Sequence, residues 1–154
     1  MQARVKFTVP GKPIAQPRQR HRVVKAGPAT YVQNYTPAKS AISEYKASVK
    51  AAAIEVQEKP LNGPLGVHLV CVFKRPSNVV WKTKPMTRLH HSKKPDLDNI
   101  AKAVLDSLNG IIYYDDAQVV RLVVEKWIAA GDELPHTEVA IYQMDAQDAS
   151  TDAA

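Results

Sequence analysis

Asp96, Asp98, Lys102, Asp106, Asp115 and Asp116 crowd into one short stretch of a 154-residue chain. Hard oxygen ligands of this kind suit Mg²⁺, which takes one or two carboxylates together with water and substrate phosphate. A cation so held polarises a phosphoryl oxygen and activates water. Two carboxylates about 4 Å apart repel by around 4 kcal/mol at an effective dielectric of about 20. Such a cluster therefore requires a cation, a proton or a basic neighbour, and Lys102 is placed to be that neighbour and to contact a phosphate. Taken singly, each group has an ordinary structural use. Asp96 or Asp98 serves as a helix cap, Lys102 makes i, i+4 pairs with Asp98 and Asp106, and Asp115-Asp116 are turn residues.

The element that must position these groups is a helix. Pro95 and an aspartate open it, and Asn109-Gly110 supplies a left-handed terminus. At about 100° per residue, Ile100, Ala101, Val104, Leu105 and Leu108 form an apolar face, with Asp98, Lys102 and Asp106 in a narrow stripe beside it. Asp96 and Asp98 point the same way only where the entry segment is extended, which Pro95 encourages. Asp115-Asp116 is expected to begin the next strand. Periodicity does not say where Asp116 folds relative to Asp96 and Asp98.

Around this helix the chain reads βαβαββ. Val5, Phe7 and Val9 alternate with polar residues up to Pro10-Gly11, the period of a half-buried strand. From there to Pro37 a long basic loop is expected, with a short hairpin around Lys25-Pro28; long loops of this kind are usually functional or disordered. Of Tyr31 and Tyr35, at least one is expected to pack in the core. Thr36 and Pro37 open an amphipathic helix running to about Glu58, with Ile42, Tyr45, Val49, Ala53 and Val56 among its apolar positions. Leu65 to Phe73 reads as a buried strand and Lys74 to Pro95 as a second loop. Val119 to Ala130 and Thr137 to Met144 are the last strands. This order predicts an α+β domain over residues 1–144, with a mixed sheet and helices mainly on one face. Residues 145–154 read as a disordered acidic tail.

Charge is segregated along the chain. Residues 1–95 carry 18 Lys and Arg against Glu44, Glu55 and Glu58, a balance of +15. Residues 96–154 carry three basic residues against twelve acids, a balance of −9, giving the net +6. The basic part suits a polyanion, since Lys and Arg that neutralise phosphates release counterions; its bland use is solubility. His90-His91 lacks the i, i+4 spacing that aims two imidazoles at one ion, so a solvated or phosphate-facing role is expected. The lone Cys71 reads as a buried thiol in a reducing compartment. With no signal-peptide core and no run of roughly 20 apolar residues, a cytoplasmic location away from membranes is expected.

The string Asp96-Leu97-Asp98-Asn99 with Lys102 and Asp106, followed by Asp115-Asp116-Ala117-Gln118-Val119-Val120, resembles the signature of the RusA family of Holliday junction resolvases. The resemblance is strongest from Lys94 to about Lys126. It extends loosely to the basic loop with Pro17-Arg18 and to Tyr35-Thr36-Pro37. It implies a small homodimeric endonuclease that resolves four-way DNA junctions by paired symmetric nicks and depends on Mg²⁺, with Mn²⁺ able to substitute. By position, Asp96, Asp98 and Asp116 would be metal-binding carboxylates, Lys102 a catalytic or phosphate-contacting lysine, and Asp115 an accessory. Arg18, Arg20, Arg22, Lys93 and Lys94 are the candidate DNA contacts, although the loops differ in length from shorter family members. Two other readings remain: a nuclease specific for flaps or forks, and a basic DNA-binding module without catalysis.

Overall fold

The computed structural model describes residues 2–17, 20–35 and 40–145. The chain runs β1 (Val5–Pro10), β2 (Arg20–Ala26), β3 (Ala29–Tyr35), α1 (Ser40–Val56), β4 (Leu65–Phe73), β5 (Leu89–His90), α2 (Leu97–Leu108), β6 (Val119–Ile128) and β7 (His136–Gln143). Five strands form one sheet in the order β1-β7-β4-β6-β5, and β2 pairs with β3 in a separate ribbon. The β4–β6 pair is parallel and the others are antiparallel. The sheet is therefore mixed, in keeping with the expected α+β class.

The parallel pair explains where α2 sits. Parallel neighbours need a crossover rather than a tight turn, and the connection from β4 to β6 contains β5 and α2. Both helices cover the same face. Val5, Phe7 and Val9 of β1, Leu65, Val67 and Leu69 of β4, and Val139 and Ile141 of β7 meet Ile42, Tyr45, Val49 and Ala53 of α1 and Ala101, Val104 and Leu108 of α2 in one core. The Tyr45 hydroxyl lies 2.7 Å from Thr137 Oγ1 in the interior, so burial of either group leaves it hydrogen-bonded. Cys71 is fully buried against Phe73 and Ile100, and desolvation pushes its thiol up to about 12, as expected of an inert core cysteine.

Two local expectations change. The segment before Tyr35 is a hairpin with seven residues per strand and not mainly a loop. Gly27, at φ +64°, supplies the positive φ that a two-residue primed turn needs at its first central position. Tyr31, on that ribbon, is half exposed and does not pack in the core; the Tyr35 side chain lies outside the described residues. Asp116 begins a single turn, Asp116–Gln118, and the strand starts only at Val119. The expected Thr36 cap and the tail from 146 onward fall outside the described residues. Among the described residues, no helix is long and apolar enough to cross a membrane.

Candidate active site

The approach to α2 is set before the helix begins. Lys126 Nζ, on β6, donates to the carbonyls of Lys93 and Pro95 at 2.6 and 2.7 Å, tying this segment down across the Lys94-Pro95 cis peptide bond. Asp96 is the N-cap residue in extended conformation (φ −68°, ψ 134°), and its carbonyl accepts from Ile100 N–H. Its side chain makes no capping hydrogen bond, so the cap explanation does not account for the carboxylate. Asp98 lies two residues further on, already helical and within the first turn. The extended geometry that would aim both carboxylates the same way thus stops between them.

An open cleft of about 630 Å³ runs between α2 and β6, lined on the helix side by Leu97, Asp98, Ala101, Lys102, Leu105 and Asp106. Asp116 and the β6 residues Leu122, Val123 and Val124 complete it. The stripe read from helical periodicity is therefore one wall of a single concavity. Lys102 Nζ stands 3.8 Å from Asp106 Oδ2. Asp98 and Asp106 are eight residues apart, about 12 Å along the axis, with Lys102 midway.

Asp116 belongs to the far end of this cleft. Tyr113 is fully buried and its hydroxyl donates to the Leu105 carbonyl at 2.6 Å. Burial pushes the phenol pKa well above its ordinary value, and the negative charges of Asp116 and Asp106 push it further, so both carboxylates lie near that ring. Asp96 lines an adjoining depression of about 550 Å³ with Ala15, Gln16, Lys94, Pro95 and Asn99. Asp98, Lys102 and Asp116 thus share a cleft, and Asp96 stands beside it.

The turn that carries Asp116 is held by a residue the sequence reading did not single out. The Gln118 side-chain oxygen accepts from Tyr114 and Asp115 N–H at 2.8 and 3.1 Å, and its nitrogen donates to Leu61 and Gly63 carbonyls at 2.9 and 3.0 Å. Asp115 completes a capping box by accepting from Ala117 N–H. That bond, and then a hydrogen bond with the Asp116 side chain, holds the Asp115 carboxyl below its usual range. An acid followed three residues later by Gln is the spacing that signals this arrangement. Lys126 carried no comparable local signal, because its partners lie more than thirty residues away.

The remaining candidates scatter. His90 stacks on Trp127 with ring centroids 4.3 Å apart, whereas His91 meets Phe73 edge-on at 4.6 Å. Burial, then the Lys126 charge, lowers the His91 pKa. Each imidazole packs on a different aromatic ring. Arg22 and Lys25 are exposed on the β2–β3 ribbon, and Lys93 and Lys94 are exposed beside the Asp96 depression. Arg18 and the Arg20 side chain lie outside the described residues. The Gln16 N–H bond to the Asn99 carbonyl anchors the approach to the ribbon on the start of α2.

Among the described residues, the trio of candidate ligands whose atoms all lie within 4.8 Å of one another is Glu133, His136 and Glu138. Asp96, Asp98 and Asp116 are not gathered that tightly. The Glu133 trio already has its cation: Arg88 reaches both Glu133 and Glu138, and His136 Nε2 lies 2.9 Å from Glu138. Glu138 also lines a groove with Lys6, Thr8 and Tyr142, well apart from the α2–β6 cleft in the strand order. The cleft is lined instead by three hard carboxylates and one lysine, without imidazole or thiol, a donor set that fits Mg²⁺.

A family model described as "Endodeoxyribonuclease RusA" matches residues 10–142. The chain is also 35% identical over 148 residues to a Bacillus subtilis (strain 168) protein named "Uncharacterized protein YqaN", covering 92% of this chain and 98% of that protein.

Proposed function

The chain belongs to the RusA endodeoxyribonuclease family, and from that premise we propose that it is a Mg²⁺-dependent nuclease that resolves four-way DNA junctions by paired symmetric nicks. The observation that carries the reading is the single cleft in which Asp98, Lys102 and Asp116 lie together. Asp98 and Asp116 would hold the cation, with Asp96 at the margin and Asp115 as an accessory oxygen donor; Mn²⁺ would substitute. When bound, the cation supplies Lewis acidity to the phosphoryl oxygen and a more acidic water.

The chain's own groups orient the phosphate and exclude the wrong geometry. Lys102, exposed on the cleft wall, offers an ammonium to a non-bridging oxygen as charge builds in the transition state. Its Asp106 partner at 3.8 Å limits where that ammonium points. Leu97, Leu122 and Val123 form an apolar rim against which a sugar can rest. The exposed basic residues Arg22, Lys25, Lys93 and Lys94, with Arg18 and Arg20, would hold the flanking backbone, which positions DNA without reading its sequence. Two equivalent cuts on a roughly two-fold-symmetric junction require two equivalent sites, hence a homodimer. A cytoplasmic, DNA-associated location follows from the same reading.

The test is nicking of a synthetic four-way junction with and without Mg²⁺, with both strand breaks mapped. Symmetric paired nicks are expected. Cuts confined to flaps or forks would replace the junction reading with a branched-DNA nuclease, and salt-sensitive binding without any cut would leave a DNA-binding module. The substitution Asp98→Asn should leave junction affinity within about threefold while abolishing Mg²⁺-dependent cutting, because it removes a ligand charge and little else. Cutting at the wild-type rate would take Asp98 out of the mechanism.

A further inference from the structure

The five-stranded sheet has a second face. Val139 and Ile141 of β7 and Val67 and Leu69 of β4 point into the core with α1 and α2. Side chains alternate across a strand, so Tyr142, Ala140, Gly66 and His68 stand on the opposite face, away from both helices. The strand register sets them in rows. Tyr142, Gly66 and Arg121 are neighbours on β7, β4 and β6, and one row along come Lys6, Ala140, His68 and Val123. These two rows carry Lys6 and Arg121, both exposed, and no acid. The carboxylates of the row beyond, Glu125 and Glu138, are engaged: Glu125 meets His68 Nε2 at 2.7 Å, and Glu138 meets Arg88 and His136 at 2.8 and 2.9 Å.

Two depressions open on this face. One, of about 260 Å³, is lined by Gly66, His68, Arg121, Tyr142 and Met144. The other, of about 370 Å³, is lined by Lys6, Thr8, His68, Ala140 and Tyr142. Tyr142 and His68 line both, so their rings stand between the two. Each depression thus has an aromatic wall and its own cation, Arg121 in the first and Lys6 in the second. Glycine inside a strand weakens it and often marks a close approach by another group. Gly66 is such a residue, buried in the middle of the sheet between Tyr142 and Arg121. The Met144 thioether leans over it, with Sδ 3.0 Å from where a Cβ would stand, and gives the first depression a soft, adaptable wall.

We propose that this face binds single-stranded nucleic acid, with one base in each depression, Tyr142 stacked between them, and Lys6 and Arg121 on the backbone phosphates. Stacking on an aromatic ring beside a cation that tracks the backbone is how unpaired strands are held without regard to sequence. A duplex keeps the faces of its bases inside and offers this ring nothing to stack on. From β1 to β6 the sheet spans three strand intervals, about 14 Å. That suits the roughly two or three bases that an open sheet face takes on its aromatic side chains. The site lies on the side of the sheet away from α2 and uses none of the carboxylates of the α2–β6 cleft. It would therefore hold a strand whether or not that cleft cuts DNA.

The test uses the full chain without divalent cation and reads the anisotropy of short labelled oligo(dT) and oligo(rU). Binding of either strand supports the proposal, and their ratio tells which sugar the face prefers. Tyr142→Phe, which keeps the ring, should stay within about twofold of wild type, whereas Tyr142→Leu should bind about fivefold more weakly or worse, the loss of one stacked base. Arg121→Gln, at an exposed position, should lower affinity and reduce the slope of log affinity against log salt by about 0.7. Photo-crosslinking of an iododeoxyuridine-substituted strand, mapped by mass spectrometry, should mark Tyr142. Crosslinks confined to Tyr31 of the β2–β3 ribbon overturn the proposal, as does an affinity that neither Tyr142→Leu nor Arg121→Gln changes. Equal weakening by Phe and Leu also overturns it, because the ring would then not be the contact. If Tyr142→Leu alters the sedimentation coefficient and leaves oligonucleotide affinity unchanged, a second copy of the chain covers this face and the proposal falls.

Discussion

Lys102 shows how a catalytic assignment can be separated from a structural one at a single side chain. It is about two-thirds exposed, and its ion pair with Asp106 is an i, i+4 contact, worth at most about 0.5 kcal/mol when exposed. Lys102→Ala should therefore leave the melting temperature nearly unchanged. Charge stabilisation at a developing oxyanion is far larger, so cutting should fall about 10²-fold or more while junction affinity changes little. Single-turnover nicking at saturating enzyme, with binding measured in parallel, checks this; equal losses in both would make Lys102 a binding residue only. The Asp98-Lys102-Asp106 stripe was legible because helical geometry is local. The relation of Asp96 to Asp98 was not, since it turned on where extended backbone gave way to helix. That of Asp116 to either was not, because the Asn109–Asp115 connection and the burial of Tyr113 decide it.

At the scale of elements, helix α2 was readable from Pro95, Asp96 and Asn109-Gly110 because each acts through its own backbone. The β2–β3 ribbon was mostly missed because Val23 and Val32 are exposed, so its described side chains offer no buried face to impose alternation. Long-range side-chain ties were invisible for the same reason that Lys126 was: nothing local specifies them. One such tie joins the loop before β5 to the β6–β7 turn, where Arg88 reaches Glu133 and Glu138. The Arg88 hydrogen bonds hold the Glu133 carboxyl down at about 2, against an ordinary 4.5. For Glu138, burial alone would raise the pKa, and the bonds from His136 and Arg88 outweigh it. A depressed carboxyl pKa contributes stability that is present above the unfolded value and is lost as pH falls through the folded one. Wild-type melting temperature should therefore decline between about pH 4.5 and 2 more steeply than that of Glu133→Gln, and the two curves should converge at the acidic end. Parallel curves through that window would mean the tie adds nothing.

Across the whole molecule, the charge division in the sequence becomes a division of labour in space. The acidic C-terminal part supplies α2, the Asp116 turn and two central strands, whereas the basic part supplies the ribbon and the loops that reach past the Asp96 depression. The ribbon makes its contacts chiefly within itself, so its basic side chains can meet a backbone without disturbing the core. Each phosphate neutralised adds about 0.9 to the slope of log affinity against log salt on duplex DNA. Arg22→Ala with Lys25→Ala should thus reduce that slope by up to about 2 and weaken duplex and junction alike, leaving the cleavage rate of bound junction intact. Titration of labelled junction and duplex across a salt series reads both quantities together. An unchanged slope would remove the ribbon from the DNA path. A loss confined to the junction would make the ribbon a reader of branch geometry instead of a backbone clamp, since a purely electrostatic contact cannot tell one phosphate chain from another.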